Sequence, residues 1–177
     1  AAAIEAIVRA AQIALTAPRG PVYVNLDVSI QEQNIGVLPA LPDVSRYAAP
    51  RAVCPNPELV ARAAQLLSGA RNPVLLAGRC SRSLEAWNAR VALAEKLNMR
   101  VLTHIKLAAA FPTDHRLHGA PPSNRLHPAA KKLLAEADVI LSLDWLDVAG
   151  ALKQSFGDKP VTAKIIQVSC DAHVHRG

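Results

Sequence analysis

PVLLAGRCSRSLEAWNARVALAEKLNMRVLTH, residues 73–104, carries two apolar runs with a helical pattern between them. Pro73 to Ala77 is an unbroken apolar run that stops at Gly78, and Arg100 to His104 is a second strand-like run. Between them Leu84 to Leu97 has helical spacing. A strand that is apolar at every position, rather than at alternate ones, belongs in a sheet covered on both faces. Strand, helix and strand in this order are the unit of a parallel sheet, joined by a crossover helix.

Working outward toward the C-terminus, the same alternation continues. A helix is expected over Pro128 to Ala135, with strands over Asp138 to Leu143 and Lys164 to Ser169, and an earlier helix over Glu58 to Leu67. The runs PVLLA, VLTH, VILSL and IIQVS predict an α/β fold with a doubly wound, mostly parallel, Rossmann-like sheet. Ligands of such sheets lie beyond the carboxyl ends of the strands. That rim holds Gly78, Arg79, Ser81, Thr103, Asp144 and Asp171 as candidate cofactor-binding residues, with His104 and Ser169 beside them. LLAGRCSRS has the strand–turn–helix context of a phosphate-binding turn but a single glycine, so the turn either binds a nucleotide or simply ends a strand at Gly78.

Toward the N-terminus, Ile4, Ile7, Val8, Ala11 and Leu15 fall on one helical stripe opposite Glu5, Arg9 and Gln12. Pro18-Arg19-Gly20-Pro21 ends this helix, and Val22 to Leu26 reads as a short strand. One helix and one strand cannot enclose a core, so the pair is expected to be the remnant of a neighbouring domain, residues 1–28. The proline-rich stretch over residues 29–57, with Pro39, Pro42, Pro50, Pro55 and Pro57, reads as an interdomain linker to a central domain at 58–177.

The chain has 177 residues, is 51% apolar and has no apolar run long enough to cross a bilayer, which points to a globular domain and by default to the cytoplasm. Its formal charge of +6 is spread along the chain and aromatics make up only 3%, too few for a nucleic-acid stacking surface, so neither nucleic acid nor membrane is expected as a partner. A basic pocket for an anionic ligand would need only two or three of the arginines. Cys54, Cys80 and Cys170 are odd in number and far apart, which argues against a disulfide framework and fits buried or incidental thiols. His115 and His118, and His173 and His175, lack a third ligand at zinc spacing. Ser81 and Ser83 read as helix caps, Asp144 and Asp147 as solvated loop carboxylates, and Trp87 and Trp145 as core or loop anchors. No catalytic and no metal-binding residue is assigned.

The ordered segments resemble a known family. AIVRAAQIALTAPRGPVYVNLDV is similar to the end of the pyrimidine-binding domain of thiamine diphosphate-dependent enzymes of the acetolactate synthase and benzoylformate decarboxylase type. PELVARAAQLLSGARNPVLLAGR, ALAEKLNMRVLTHIKLAAAFPTDHRLHG, LLAEADVILSLD and IIQVSCD resemble, in order, their central domain. The resemblance implies a parent enzyme using thiamine diphosphate and magnesium, acting on a 2-keto acid as a lyase or a carboligating transferase. It implies that the partners of this segment are the other domains of that parent, itself a dimeric or tetrameric homo-oligomer. The family's activating glutamate and its GDG motif are not in this sequence; Gly157-Asp158-Lys159 lacks the second glycine. Some relatives carry FAD or another adenine nucleotide in the central domain, but here Asp144 follows the third central strand where a carboxylate would repel a pyrophosphate.

Three functions follow as expectations: a central-domain segment of a thiamine-dependent lyase or carboligase, inactive alone; a free-standing module binding FAD, NAD or ADP with a sensory role; or a purely structural domain that holds two catalytic domains together.

Overall fold

The computed structural model describes residues 2–51 and 53–171. The chain divides into two compact units, Ala1–Cys54 and Pro55–Gly177.

The second unit contains all of the regular sheet. Helix α3 (Pro57–Ser68), strand β1 (Pro73–Ala77), helix α4 (Leu84–Lys96), strand β2 (Arg100–Thr103), helix α5 (Pro128–Ala135), strand β3 (Val139–Leu143), helix α6 (Val148–Phe156) and strand β4 (Lys164–Val168) follow in order. All three strand pairings are parallel and the spatial order is β2-β1-β3-β4. Sequence periodicity locates β1, β2, β3, β4, α3, α4 and α5 to within two residues, and misses α6.

The continuous apolar runs are explained by burial from both sides. Every residue of β1 and the first four of β3 are buried. Leu75, Ala77, Val101, Val139 and Leu141 pack on one face with Leu67 of α3 and Ala94 of α4. Val74, Leu76, Leu102 and Ile140 pack on the other with Ala130 and Leu134 of α5 and Ala151 of α6. Successive strand side chains point to opposite faces, so a strand buried on both has no polar position to give up.

The edges differ. The connection after β2 turns back alongside it: Val101 N–H donates to Leu117 O at 2.9 Å and Gly119 N–H to Val101 O at 2.8 Å. On the far side β4 is exposed except at Ile166, with Ile165 42% and Val168 47% accessible.

Each helix of the second unit starts on a side-chain acceptor. Asn56 caps α3, Ser83 caps α4, His127 caps α5 and Asp147 caps α6. Asp147 Oδ1 accepts from Gly150 N–H at 2.7 Å, so this carboxylate is a cap rather than a free loop charge. That cap, with Val148, Ala151, Leu152 and Phe156 behind it, is the signal for α6.

At the amino end of the sheet Asp138 ties two strands. Its carboxylate accepts from the backbone N–H of Arg71 at 2.6 Å and of Asn72 at 3.0 Å, just before β1, while its own carbonyl accepts from Lys164 N–H at 2.9 Å, at the start of β4. Burial pushes this carboxyl up, but the N–H donors of Arg71 and Asn72 and those of its own segment outweigh burial and hold it below its ordinary 3.8.

The first unit is less regular. Helix α1 spans Ala2–Leu15 and a short helix α2 spans Val28–Glu32; a 3₁₀ turn covers Val44–Tyr47. Asp27 and Asp43 cap the last two by accepting from Ser29 and Ser45 N–H, an Asp-x-Ser signal that occurs once at the end of the segment read as a domain remnant and once inside the stretch read as linker. Gln12 reaches from α1 to Ala48 O at 3.3 Å. The expected strand over Val22 to Leu26 does not form. A strand exists only through pairing, and no described residues pair with this segment, which leaves Tyr23 88% exposed. The apolar stripe on α1 is likewise divided: Ile4 and Val8 are half-buried, while Ile7 and Leu15 are exposed at 52% and 54%.

A methyl group added at Gly78 would lie 2.1 Å from Asp144 O and 2.4 Å from Trp145 N, both backbone atoms that cannot swing away. Gly78→Ala is therefore expected to lower unfolding free energy by about 3 kcal/mol in urea titration, while Gly20→Ala, with nothing within 4 Å, changes it little. Because the folded-state value of Asp138 is depressed, its stabilisation is present above pH 3.8 and lost as pH falls through the lower folded value. Stability measured by acid titration should fall over that window, and Asp138→Asn should flatten that part of the profile.

Candidate functional site

In this strand order the chain leaves β1 in one direction to reach β2 and then crosses to β3 on the other side of β1, so the topological switch point lies between β1 and β3. Gly78 and Asp144 are the first residues beyond those two strands.

The backbone ladder does not open there. Gly78 N–H donates to Leu143 O at 2.9 Å, Arg79 N–H to Asp144 O at 3.0 Å, Cys80 N–H to Gly78 O at 2.8 Å and Asp144 N–H to Val168 O at 2.7 Å. Asp144 turns at φ +53°, a left-handed conformation that Asp tolerates better than most residues. The turn aims its carboxylate back across the rim, and the residue is only 7% exposed, so the expectation of a solvated loop carboxylate fails at this position.

Arg79 closes on it. Arg79 Nη2 donates to Asp144 Oδ1 at 3.1 Å, and Nε sits 2.8 Å from Oδ2 as an ionic contact without hydrogen-bond alignment. The same Nη2 donates to Asp171 Oδ2 at 2.8 Å. Ser169 Oγ donates to Asp144 Oδ1 and accepts from Asp171 N–H at 3.0 Å. Hydrogen bonding to Asp171 raises the Arg79 guanidinium above its already high value; burial opposes it, and the hydrogen bond and charge of Asp144 add to the rise. The ends of β1, β3 and β4 are thereby joined by one charge cluster. The end of β2 is joined by an aromatic contact, His104 standing edge-on to Trp145 at 5.3 Å.

Of the six candidate residues, Gly78, Arg79, Asp144 and Asp171 thus meet at the switch point. The other two do not join them. Ser81 Oγ pairs with Ser83 Oγ at 3.3 Å in front of α4, and Thr103 Oγ1 contacts His118 Nε2 at 2.9 Å. Beside the clasp, burial pushes the Cys80 thiol up, which keeps it protonated and poorly nucleophilic; Cys54 and Cys170 are exposed.

A residue that the sequence left unremarked holds the turn from behind. Arg90 of α4 is only 7% exposed, and its guanidinium donates to Ala110 O at 2.9 Å, Ser81 O at 2.9 Å and Ala109 O at 3.2 Å. Its signal was its place one helical turn before Ala94, on the buried side of α4.

The histidines serve structure. His115 contacts Glu95 Oε1 at 3.2 Å and accepts from Leu117 N–H at 3.2 Å, while His118 faces Thr103. Burial pushes both His118 and His104 down, with Arg100 and Lys106 adding to the respective shifts and a backbone bond at Thr113 opposing that of His118. Among the described residues no three His, Cys, Asp or Glu side chains are grouped to hold a metal ion. His173 and His175 lie outside the described residues. Gly157, at φ +62°, ends α6, and Asp158 pairs with Lys153.

Residues 60–176 match the family of thiamine pyrophosphate enzymes, central domain. The chain belongs to this family. It is 37% identical to the sulfoacetaldehyde acetyltransferase of Rhodobacter capsulatus over 70% of this chain and 20% of that one. It is 33% identical to the benzoylformate decarboxylase of Pseudomonas aeruginosa over 94% of this chain and 31% of that one. The crystal structure of benzoylformate decarboxylase from Polynucleobacter necessarius superposes on 94% of the chain with a TM-score of 0.56 and 27% identity, covering 30% of that protein. The chain thus spans between a fifth and a third of the length of these relatives.

Removing one partner of the clasp leaves a buried carboxylate without its cation. Arg79→Met is expected to lower stability by about 2–3 kcal/mol, discounted from a fully buried pair because the arginine is 26% exposed. Arg79→Met with Asp144→Asn should recover at least half, since Asn keeps the left-handed turn and carries no charge. Thermal unfolding of the three proteins reads the difference.

Proposed function

We propose that this chain is the central domain of a longer thiamine diphosphate-dependent lyase or transferase, and that its task there is to hold the enzyme's other domains in place rather than to carry chemistry. The observation that supports this reading is the closed switch point. A bound pyrophosphate needs backbone N–H groups that point outward and a site free of fixed negative charge. At the rim the N–H groups of Gly78, Arg79 and Cys80 already donate to backbone carbonyls, and the only cation within the clasp is neutralised by Asp144 and Asp171. FAD or ADP does not fit these residues as they stand.

Thiamine diphosphate, when bound with magnesium, supplies a nucleophilic carbanion and an electron sink for a 2-keto acid substrate. No step of that chemistry is assigned to this chain. Its donor set does not fit the cofactor: Asp158 is engaged by Lys153 in a turn, and the carboxylates of the switch point are engaged by Arg79. The partners are the other domains of the parent, and the assembly is a cytoplasmic homo-oligomer of two or four chains. Exposed apolar side chains at Ile7 and Leu15 of α1 and at Ile165 and Val168 of β4 support packing against such neighbours.

The chain by itself, supplied with thiamine diphosphate and magnesium, is expected to release no carbon dioxide from pyruvate or benzoylformate, and to give no heat with FAD or ADP in calorimetry. Turnover by the chain alone would overturn the reading. Micromolar binding of either nucleotide, abolished by Arg79→Met, would instead make the switch point a nucleotide site and favour the adenine-nucleotide module.

A further inference from the structure

At the end of the sheet opposite the ionic clasp lies a cavity of about 450 Å³. Val74 and Leu133 give it an apolar floor, and Arg71, Asn72, Asn98 and Arg100 line it with donors. The two arginines come from separate segments, one just ahead of β1 and one at the first residue of β2, and line one cavity because those strands pair in register, Val74 opposite Arg100.

Both guanidinium groups belong to exposed residues. Among the described residues no carboxylate forms an ion pair with either. Arg100 reaches only the carbonyl of His118, at 3.5 Å. The nearby carboxylate of Asp138 is held by the backbone N–H groups of Arg71 and Asn72, not by a guanidinium. Glu136, the one carboxylate on the cavity wall, has Lys132 Nζ at 3.8 Å to offset it. Arg116 donates to Asn98 Oδ1 at 3.4 Å, which commits that oxygen and leaves the amide nitrogen of Asn98 as the donor available to a ligand.

We propose that this cavity is a binding site for a small phosphate-bearing ligand, with Arg71 and Arg100 as the two anion-binding groups. Two planar guanidinium forks match the oxygens of a phosphate or pyrophosphate, and carboxamide donors complete its shell. The apolar floor and the volume suit the organic part of such a molecule, since small-ligand sites combine an apolar lining with a few placed polar groups. The site shares no residue with the switch point, so it stands whether or not that crevice is closed.

Titration of the full chain with inorganic pyrophosphate, followed by calorimetry and by chemical shifts of the Asn98 side-chain amide, tests this. Saturable binding is expected, weakened about tenfold by Arg71→Gln and by Arg100→Gln, the loss of one charge-assisted contact each. Both side chains are exposed, so neither variant should alter the circular dichroism spectrum. Arg82→Gln, which removes the same charge at the opposite end of the sheet, should leave binding unchanged. Absence of saturable binding, or an equal loss in Arg82→Gln, would overturn the proposal.

Discussion

The close approach of Gly78 to the carbonyl of Asp144 is the contact on which the rest of the structure depends. It brings the ends of β1 and β3 together where no side chain could fit, so the parallel ladder continues past the strands themselves. β3 is held at both ends by an aspartate. Asp138 receives the backbone leading into β1, and Asp144 receives the arginine leaving it. Apart from Ser142, the interior of the sheet is apolar between these two points, and apolar packing alone does not choose between registers that keep the same faces buried. The paired carboxylates supply directional bonds that do choose.

The same device decides what the switch point can do. In an open parallel sheet this crevice is the natural ligand site. Here its cation is paired with two carboxylates and its turn N–H groups donate to backbone carbonyls, and a phosphate would meet fixed negative charge in a partly dry environment. An internal ion pair of this kind adds little net stability over apolar packing, but it is costly to break by halves. Such a cluster keeps the ends of β1, β3 and β4 together. The amino end of the sheet is built the other way: among the described residues Arg71 and Arg100 have no carboxylate paired with their guanidinium groups.

Much of the second unit was legible beforehand, for particular reasons. PVLLA and VILSL could be read as buried strands because neither has a polar residue on either face until its last two positions. Pro128 after His127 and Asn56 before Pro57 announce helix starts. The helix over 148–156 escaped because three glycines and aspartates crowd its start, and only the cap formed by Asp147 explains them. Val22 to Leu26 has a strand's composition yet forms none, since composition supplies propensity and not a partner.

Sequence alone was enough for the class of fold, for the order of the four strands and of three helices of the second unit, and for the set of residues at the carboxyl rim, because burial on two faces and helix capping leave local marks. What only the tertiary structure decided was the use of those residues. That Asp144 is buried, that it turns left-handed to meet Arg79, and that Asp171, 92 residues along the chain from Arg79, joins the same guanidinium are consequences of strand pairing. Arg71 and Arg100 likewise line one cavity through the register of β1 on β2. Charge is a property of single residues and can be counted along a chain; whether a charge is neutralised depends on which distant residue the fold sets beside it.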